Sequence, residues 1–370
     1  MMEHLVDMVV GCGCEVDLFC TTNIRFINRS SIKLNLFWSL YLFVIRKCAI
    51  LLPLKFSSSL NQKLLSRILF KGIVKKYDLV DFHSVPPYTD WYINQSKIKG
   101  IPYEITFWGA DIIFASEDRA AQLKLLLDSC TKLKCTRNLY DIVCRKIGKQ
   151  YSTKYKEAYF GNSGLDYLIH ISSADRVNLA EKLLGRIDDK IVVTCGYNGI
   201  EVQNHELMIN SLNKLPQSYK NRLMVVFPMT YGREEHYYSR VKQLLHESSF
   251  QSIVIESYLN NEELAALRWI TNVMIMAQET DAFSGSVQEH LYCNNIVLIG
   301  NWLDYPLLDR SGAFYLTFAK EELTKKVTNI IDNYLEYKNR CSNNDAKLYS
   351  AVSWEARLSD WLPTYQPINN

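Results

Sequence analysis

The sequence predicts an α/β protein made of two doubly wound, parallel-sheet domains. Three observations carry this expectation. At 370 residues, the chain exceeds what one hydrophobic core usually supports. Short apolar runs closed by glycine, proline or polar turns alternate with helical patterns, as strand–helix–strand units do. The alternation lapses between residues 160 and 188 and then restarts. A composition of 48% hydrophobic and 22% charged residues is that of a globular chain and excludes fibrous or disordered classes.

Taken in order, His4 to Val10 reads as a helix, and the turn Gly11-Cys12-Gly13 leads into a strand at 15–20. Helical patterns cover 33–52, 59–76, 90–99 and 117–129. Strands fall at 77–84, ending in Pro86-Pro87, and at 101–108, closed by Gly109. A domain of this kind ordinarily opens on a strand and a glycine loop ahead of its first helix, so that first strand is expected to be missing. The second half begins with a strand at 190–195 and the turn Gly196-Tyr-Asn-Gly199. A helix at 205–215, a strand at 223–227, a helix at 234–247 and a strand at 252–257 follow. Asn260 before Glu262 and Glu263 makes a good N-cap with acids in the first turn. That helix feeds a strand at 272–277, a polar loop, a short helix and a strand at 295–300. The expected domains are 1–170 and 171–345, with 346–370 as a closing helical segment.

The net charge of +3 is small, but it is unevenly spread. Residues 1–160 balance at +9 and the remainder at −6, and between 18 and 77 eleven basic residues stand without one Asp or Glu. Such a bias suggests an anionic partner, although a solvated helix face is the plain alternative. In the same region Trp38 and Tyr41 lie among leucines, with Arg46 and Lys47 beside them. That combination suits an interfacial helix on anionic lipid as well as it suits a buried core helix. An anionic membrane surface is therefore expected, and no nucleic acid. The apolar run 34–45 is too short to span a bilayer at roughly 20 residues per crossing. The ten cysteines show no C-x-x-C or Cys/His metal spacing, which reads as reduced thiols and a cytosolic chain. No secretory leader is read at the N-terminus.

The loop Thr280-Asp-Ala-Phe-Ser-Gly-Ser-Val-Gln-Glu289 lies between a strand and a helix, where open α/β sheets place ligands. The backbone N–H groups of Ser284, Gly285 and Ser286 would offer a phosphate site at the helix start. Glu289 suits a ribose diol, and Asp281 would face a reacting group. The bland reading makes Ser286 and Glu289 a capping box. Gly196-Tyr-Asn-Gly199 is either a pyrophosphate cradle or an ordinary Asn-Gly turn, with Asn198, Asn204 and His205 as neutral donors. It is not G-x-G-x-x-G, which argues against a nicotinamide or flavin cofactor, and none is expected. Tyr231 could stack on a ring, and Arg233 meet a phosphate. Asp111, in Phe107-Trp-Gly-Ala-Asp111, is a candidate base or a helix cap. His83 ends a strand as a candidate acceptor contact or a structural histidine.

These residues carry a family resemblance. TDAFSGSVQEHLYCNNIVLIGNW resembles the nucleotide-sugar element of two-domain GT-B glycosyltransferases, family 4 in particular, and FWGAD resembles the His-Gly-x-Asp segment of their first domain. GYNGIEVQNH with FPMTYG is similar to the family that transfers 4-acetamidofucose onto lipid-linked sugars. The resemblance implies a metal-independent glycosyltransferase with a nucleotide-sugar donor and a polyprenyl-diphosphate-linked saccharide acceptor. It would act peripherally on the cytoplasmic membrane face, in O-antigen or capsule assembly; the acid pair fits retention and the 4-acetamidofucose likeness suggests inversion, with retention the expectation. It places Glu289 on the ribose, Asp281 near the donor sugar, Ser284 to Ser286 on the sugar or phosphates, and Asn198, Asn204 and His205 on the pyrophosphate. Asp281 is one methylene shorter than the usual glutamate, and Trp108 stands where many members have histidine. The alternatives are a nucleotide-sugar epimerase of the same fold and a degenerate, non-catalytic subunit.

Overall fold

The computed structural model describes residues 2–12, 14–19, 26–28, 67, 70–72, 74–187 and 189–365. The chain divides into two compact units: Met1–Tyr159 with Leu358–Asn370, and Phe160–Arg357.

In the first unit, the strands β1 (Asp17–Phe19) and β2 (Phe26–Asn28) pair antiparallel with each other. The strand expected at 15–20 therefore belongs, among the described residues, to an antiparallel pair rather than to the parallel sheet. That sheet consists of β3 (Val80–His83), β4 (Tyr103–Thr106), β5 (Lys132–Cys135) and β6 (Tyr155–Glu157), all parallel and in sequence order. Its two faces differ in kind. Phe82, Ile105 and Leu133 are apolar and buried on one face. On the other, the register aligns Asp81 with Glu104, and Thr106 with Lys134. Lys134 is fully buried, in ion pairs with Asp81 and with Glu104 Oε2, the latter at 2.9 Å. Burial opposes ionisation of Asp81, yet the neighbouring His83 and Lys134 outweigh it and hold the carboxyl far below its usual range. A buried ion pair offsets its desolvation only when both partners stay in place.

The second unit carries one six-stranded parallel sheet in the order β12-β11-β10-β7-β8-β9. Its strands are β7 (Ile191–Cys195), β8 (Leu223–Pro228), β9 (Gln251–Ile255), β10 (Val273–Met276), β11 (Ile296–Gly300) and β12 (Leu316–Phe318). Strands covered on both faces read as unbroken apolar runs, and IVVTC, VMIM and IVLIG are buried throughout. Helices His205–Asn213 and Glu235–His246 bury Met208, Ile209, Leu212 and Val241 on one face with Val193, Cys195 and Ile275. Helix Asn261–Ile270 buries Leu267 on the other, beside Val192 and Val226. Its N-cap, Asn260, forms a complete capping box with Glu263.

Helices Gly164–His170 and Ser173–Leu184 occupy the stretch where the sequence pattern lapsed. The closing segment is two helices, Asn344–Val352 and Trp354–Tyr365, separated at an extended Ser353. Among the described residues, no helix is long and apolar enough to cross a membrane. Trp38, Tyr41, Arg46 and Lys47 lie outside the described residues.

Candidate functional site

Strand order locates the site. The chain leaves β7 for β8 on one side, crosses from β9 back over the sheet, and enters β10 on the other side of β7. The loops after β7 and β10 therefore part from one another, and the crevice at such a switch point is where open α/β sheets bind ligands.

The loop after β7 is shaped by glycine. Gly196 has φ +67° and donates its N–H to Ile275 O on β10 at 3.0 Å. A Cβ there would come within 2.8 Å of Gln203 Oε1 and 3.3 Å of His205 Nε2. Asn198 is buried; its Oδ1 accepts from Ile200 N at 2.9 Å and its amide donates to Tyr231 Oη at 3.4 Å. Asn204 takes a left-handed conformation and serves as the backbone N-cap of helix His205–Asn213 without a side-chain cap bond. Gln203 ties the loops together, accepting from Tyr197 N at 3.1 Å and donating to Gln278 Oε1 at 2.6 Å.

His205 is fully buried. Burial lowers its pKa to about 4, against a small opposing effect of the Asn198 backbone, so the ring is neutral near pH 7. Its Nδ1 lies 3.0 Å from Tyr237 Oη, while Nε2 has no partner of hydrogen-bonding geometry. A buried polar atom without a partner is costly in a stable fold and calls for an explanation.

After β10, Gln278 fixes the loop: its side-chain amide donates to Thr280 O at 2.5 Å and its backbone carbonyl accepts from Trp302 Nε1 at 2.7 Å. The Asp281 carboxylate accepts from Tyr305 Oη at 2.7 Å and from the backbone N–H groups of Ser284 and Ala282. Burial pushes its pKa up and outweighs these bonds, leaving it at about 6. Tyr197 is near enough for Asp281 to help raise its phenol pKa, after burial. Asp281 thus joins the Gly196 loop through Tyr197.

The following helix begins at Gly285, and its N-cap is Ser284, whose Oγ accepts from Val287 N at 3.3 Å. The Ser286–Glu289 capping box expected from the sequence does not form, because the helix starts two residues earlier. Ser286 Oγ is buried without a partner. Glu289 Oε2 takes Arg268 Nε at 2.9 Å, and its Oε1 lies where a Cβ on Gly164 would approach to 2.4 Å. Glu289 is therefore oriented by an ion pair rather than by a cap. Arg233 packs over Gly199, faces Glu256 at 3.7 Å and stands 5.2 Å from the ring of Tyr238. Tyr231 is about half exposed.

Asp111 and His83 belong to the other unit. The Asp111 carboxylate accepts from the backbone N–H groups of Val85, Trp108 and Gly109 at 3.0 to 3.3 Å. With those bonds it braces the loops after β3 and β4. His83 is bonded to Asp81 at 3.1 Å and stacked on Trp361 at 5.5 Å. These contacts join it to the ion network of Asp81 and Lys134.

Sequence reasoning missed Tyr237, Arg268 and Tyr305, which act on site residues from elements far along the chain. No motif marks them; only the fold brings them near.

No protein-family model matches the sequence, and no curated protein matches it. Solved structures do. HepE of Anabaena in complex with UDP and glucose matches with a TM-score of 0.68 at 13% identity, covering 84% of this chain and 83% of that one. A glycosyltransferase from Rickettsia africae ESF-5 matches at 0.67 and 16% identity, covering 81% and 79%. Sucrose-phosphate synthase from Thermosynechococcus elongatus matches at 0.65 and 14% identity, covering 81% and 77%. At such identities the likeness establishes the fold, two Rossmann-like domains of the GT-B type.

Proposed function

We propose that the chain is a glycosyltransferase that moves a sugar from a nucleotide-diphosphate donor to a lipid-linked saccharide. The observation that carries this reading is the gathering of neutral donors and a close-approach glycine at the switch point of the second unit. His205 Nε2, the Gly196 backbone and the N-terminus of helix Gly285–Tyr292 suit a diphosphate. As the glycosidic bond breaks, charge grows on the leaving diphosphate, and fixed donors in a water-poor site stabilise it without rearranging. Asp281, a carboxyl with a pKa of about 6, acts on the donor sugar, and Glu289 receives the ribose hydroxyls. The transfer is metal-independent and retains the anomeric configuration. HepE has been captured with UDP-glucose, which agrees with a nucleotide-sugar donor here.

The acceptor is a polyprenyl-diphosphate-linked saccharide at the cytoplasmic membrane face, in bacterial O-antigen or capsule assembly. Its support is the acid-free, basic stretch from 18 to 77 with its aromatic residues, which suits an anionic surface. The test is a transfer assay with UDP-, TDP- and GDP-sugars, polyprenyl-diphosphate acceptors and EDTA. Asp281→Asn and Glu289→Gln are expected to lose roughly 100-fold or more in turnover. Wild-type rates in both variants would remove the assigned roles. Isomerised donor in the absence of acceptor would favour the epimerase instead.

A further inference from the structure

We propose that Tyr237 is a positioning residue that fixes His205 as a neutral Nε2–H donor, directed at a ligand oxygen over Gly196. The proposal deepens the donor-site reading above and rests on it for the nature of the ligand.

Tyr237 Oη stands 3.0 Å from the backbone N of His205 and 3.0 Å from Nδ1 of the same residue. The backbone N–H can only donate, so it occupies a lone pair of Oη. The hydroxyl proton then needs an acceptor, and Tyr237 is 2% exposed. Nδ1 is the acceptor within hydrogen-bond reach. It accepts only if it is unprotonated, which places the single proton of the neutral ring on Nε2. Burial keeps the second proton off, since the pKa falls to about 4. One phenol thus fixes the position of the helix start and the tautomer of the ring together.

The Nε2–H is buried and meets no acceptor at good hydrogen-bonding geometry, although the Asn198 backbone is close enough to raise the ring's pKa. Any side chain at position 196 would crowd it, because a Cβ would sit 3.3 Å from Nε2. At +67° the Gly196 backbone also disfavours every other residue. The donor and the glycine that leaves it uncrowded therefore stand together in the loop after β7. An oxygen acceptor such as a diphosphate oxygen fits. A neutral donor there avoids the desolvation that a buried cation would suffer.

The test uses the full chain labelled with 15N-histidine, with ring tautomers read by long-range proton–nitrogen correlation at pH 7. His205→Gln assigns the signal by its loss. The wild type is expected to show the neutral Nε2–H form. In Tyr237→Phe, which keeps the ring that fills the core, that pattern should give way to a mixture. Affinity for UDP, TDP or GDP, by calorimetry, should then fall about fivefold to tenfold. Adding His205→Gln to Tyr237→Phe should restore it, because a glutamine amide donates near the Nε2 position whatever the phenol does. An Nδ1–H or doubly protonated ring in the wild type overturns the proposal. So does an altered tautomer in Tyr237→Phe with unchanged nucleotide affinity. An Nε2–H ring in a wild type that binds none of the three nucleotides condemns the donor-site reading and not the lock.

Discussion

Asp281 sits between opposing effects: burial raises its pKa, while Tyr305 Oη at 2.7 Å and two backbone N–H groups lower it. The balance, at about 6, leaves most of the carboxyl ionised at pH 7.5. Tyr305→Phe removes a hydrogen bond that favours the anion, so the pKa must rise further. If turnover requires the carboxylate, the acidic limb of the kcat profile starts near pH 6 in the wild type and moves up by about one unit in the variant. The loss is then larger at pH 6 than at pH 8. Profiles that stay parallel would mean that Tyr305 only packs the loop. Asp111 is the contrasting residue. Its carboxylate is also buried and raised in pKa by burial, against backbone donors that include Gly109, Val85 and Trp108, through which it braces the loops after β3 and β4. Burial with a raised pKa does not by itself distinguish a reacting group from a structural one.

At the scale of elements, the loop after β7 depends on Gly196. Gly196→Ala forces a positive φ on alanine and drives a methyl toward Gln203 and His205. The expected outcome is at least tenfold weaker nucleotide binding with a stability loss of about 1 kcal/mol. A variant that loses stability but keeps affinity would separate the turn from the ligand. The same elements show why some of the fold was legible in the sequence and some was not. The apolar runs of β7, β8, β10 and β11 announced themselves because both of their faces are covered, and the Asn260 cap because its signal is local. β5 did not. KLKC reads as a polar turn until Lys134 is seen buried opposite Asp81 and Glu104, and that pairing is a matter of register across three strands. Helix Gly285–Tyr292 was legible to within two residues, since Ser284 and Ser286 both suit an N-cap and the preceding loop decides between them. Asp281 was legible as a candidate, whereas the tyrosine that tunes it comes from the segment after β11.

For the whole molecule, the decisive feature is that the C-terminal helix Trp354–Tyr365 starts in one compact unit and from Leu358 belongs to the other. Trp361 is fully buried there; its Nε1 donates to Tyr159 O at 2.9 Å, and its ring stacks on His83 and lies 5.3 Å from Lys134 Nζ. Asp360 adds an acceptor for Tyr159 N at 3.1 Å. The tail of the chain therefore completes the core of the unit that contains the head. Removing the indole leaves a large cavity over a buried ion network, so Trp361→Ala should cost that unit about 3 to 5 kcal/mol. For a unit of this size that is roughly 10 °C in Tm. On the donor-site proposal, bound nucleotide identifies the other unit, because a ligand stabilises only the folded state that holds it. Calorimetric scans with and without UDP should show a UDP-responsive transition that keeps its place in Trp361→Ala and a UDP-insensitive one that moves down. If the UDP-responsive transition falls by the same amount, the two units unfold as one. The tail would then stabilise the nucleotide site as well as the sheet of β3 to β6.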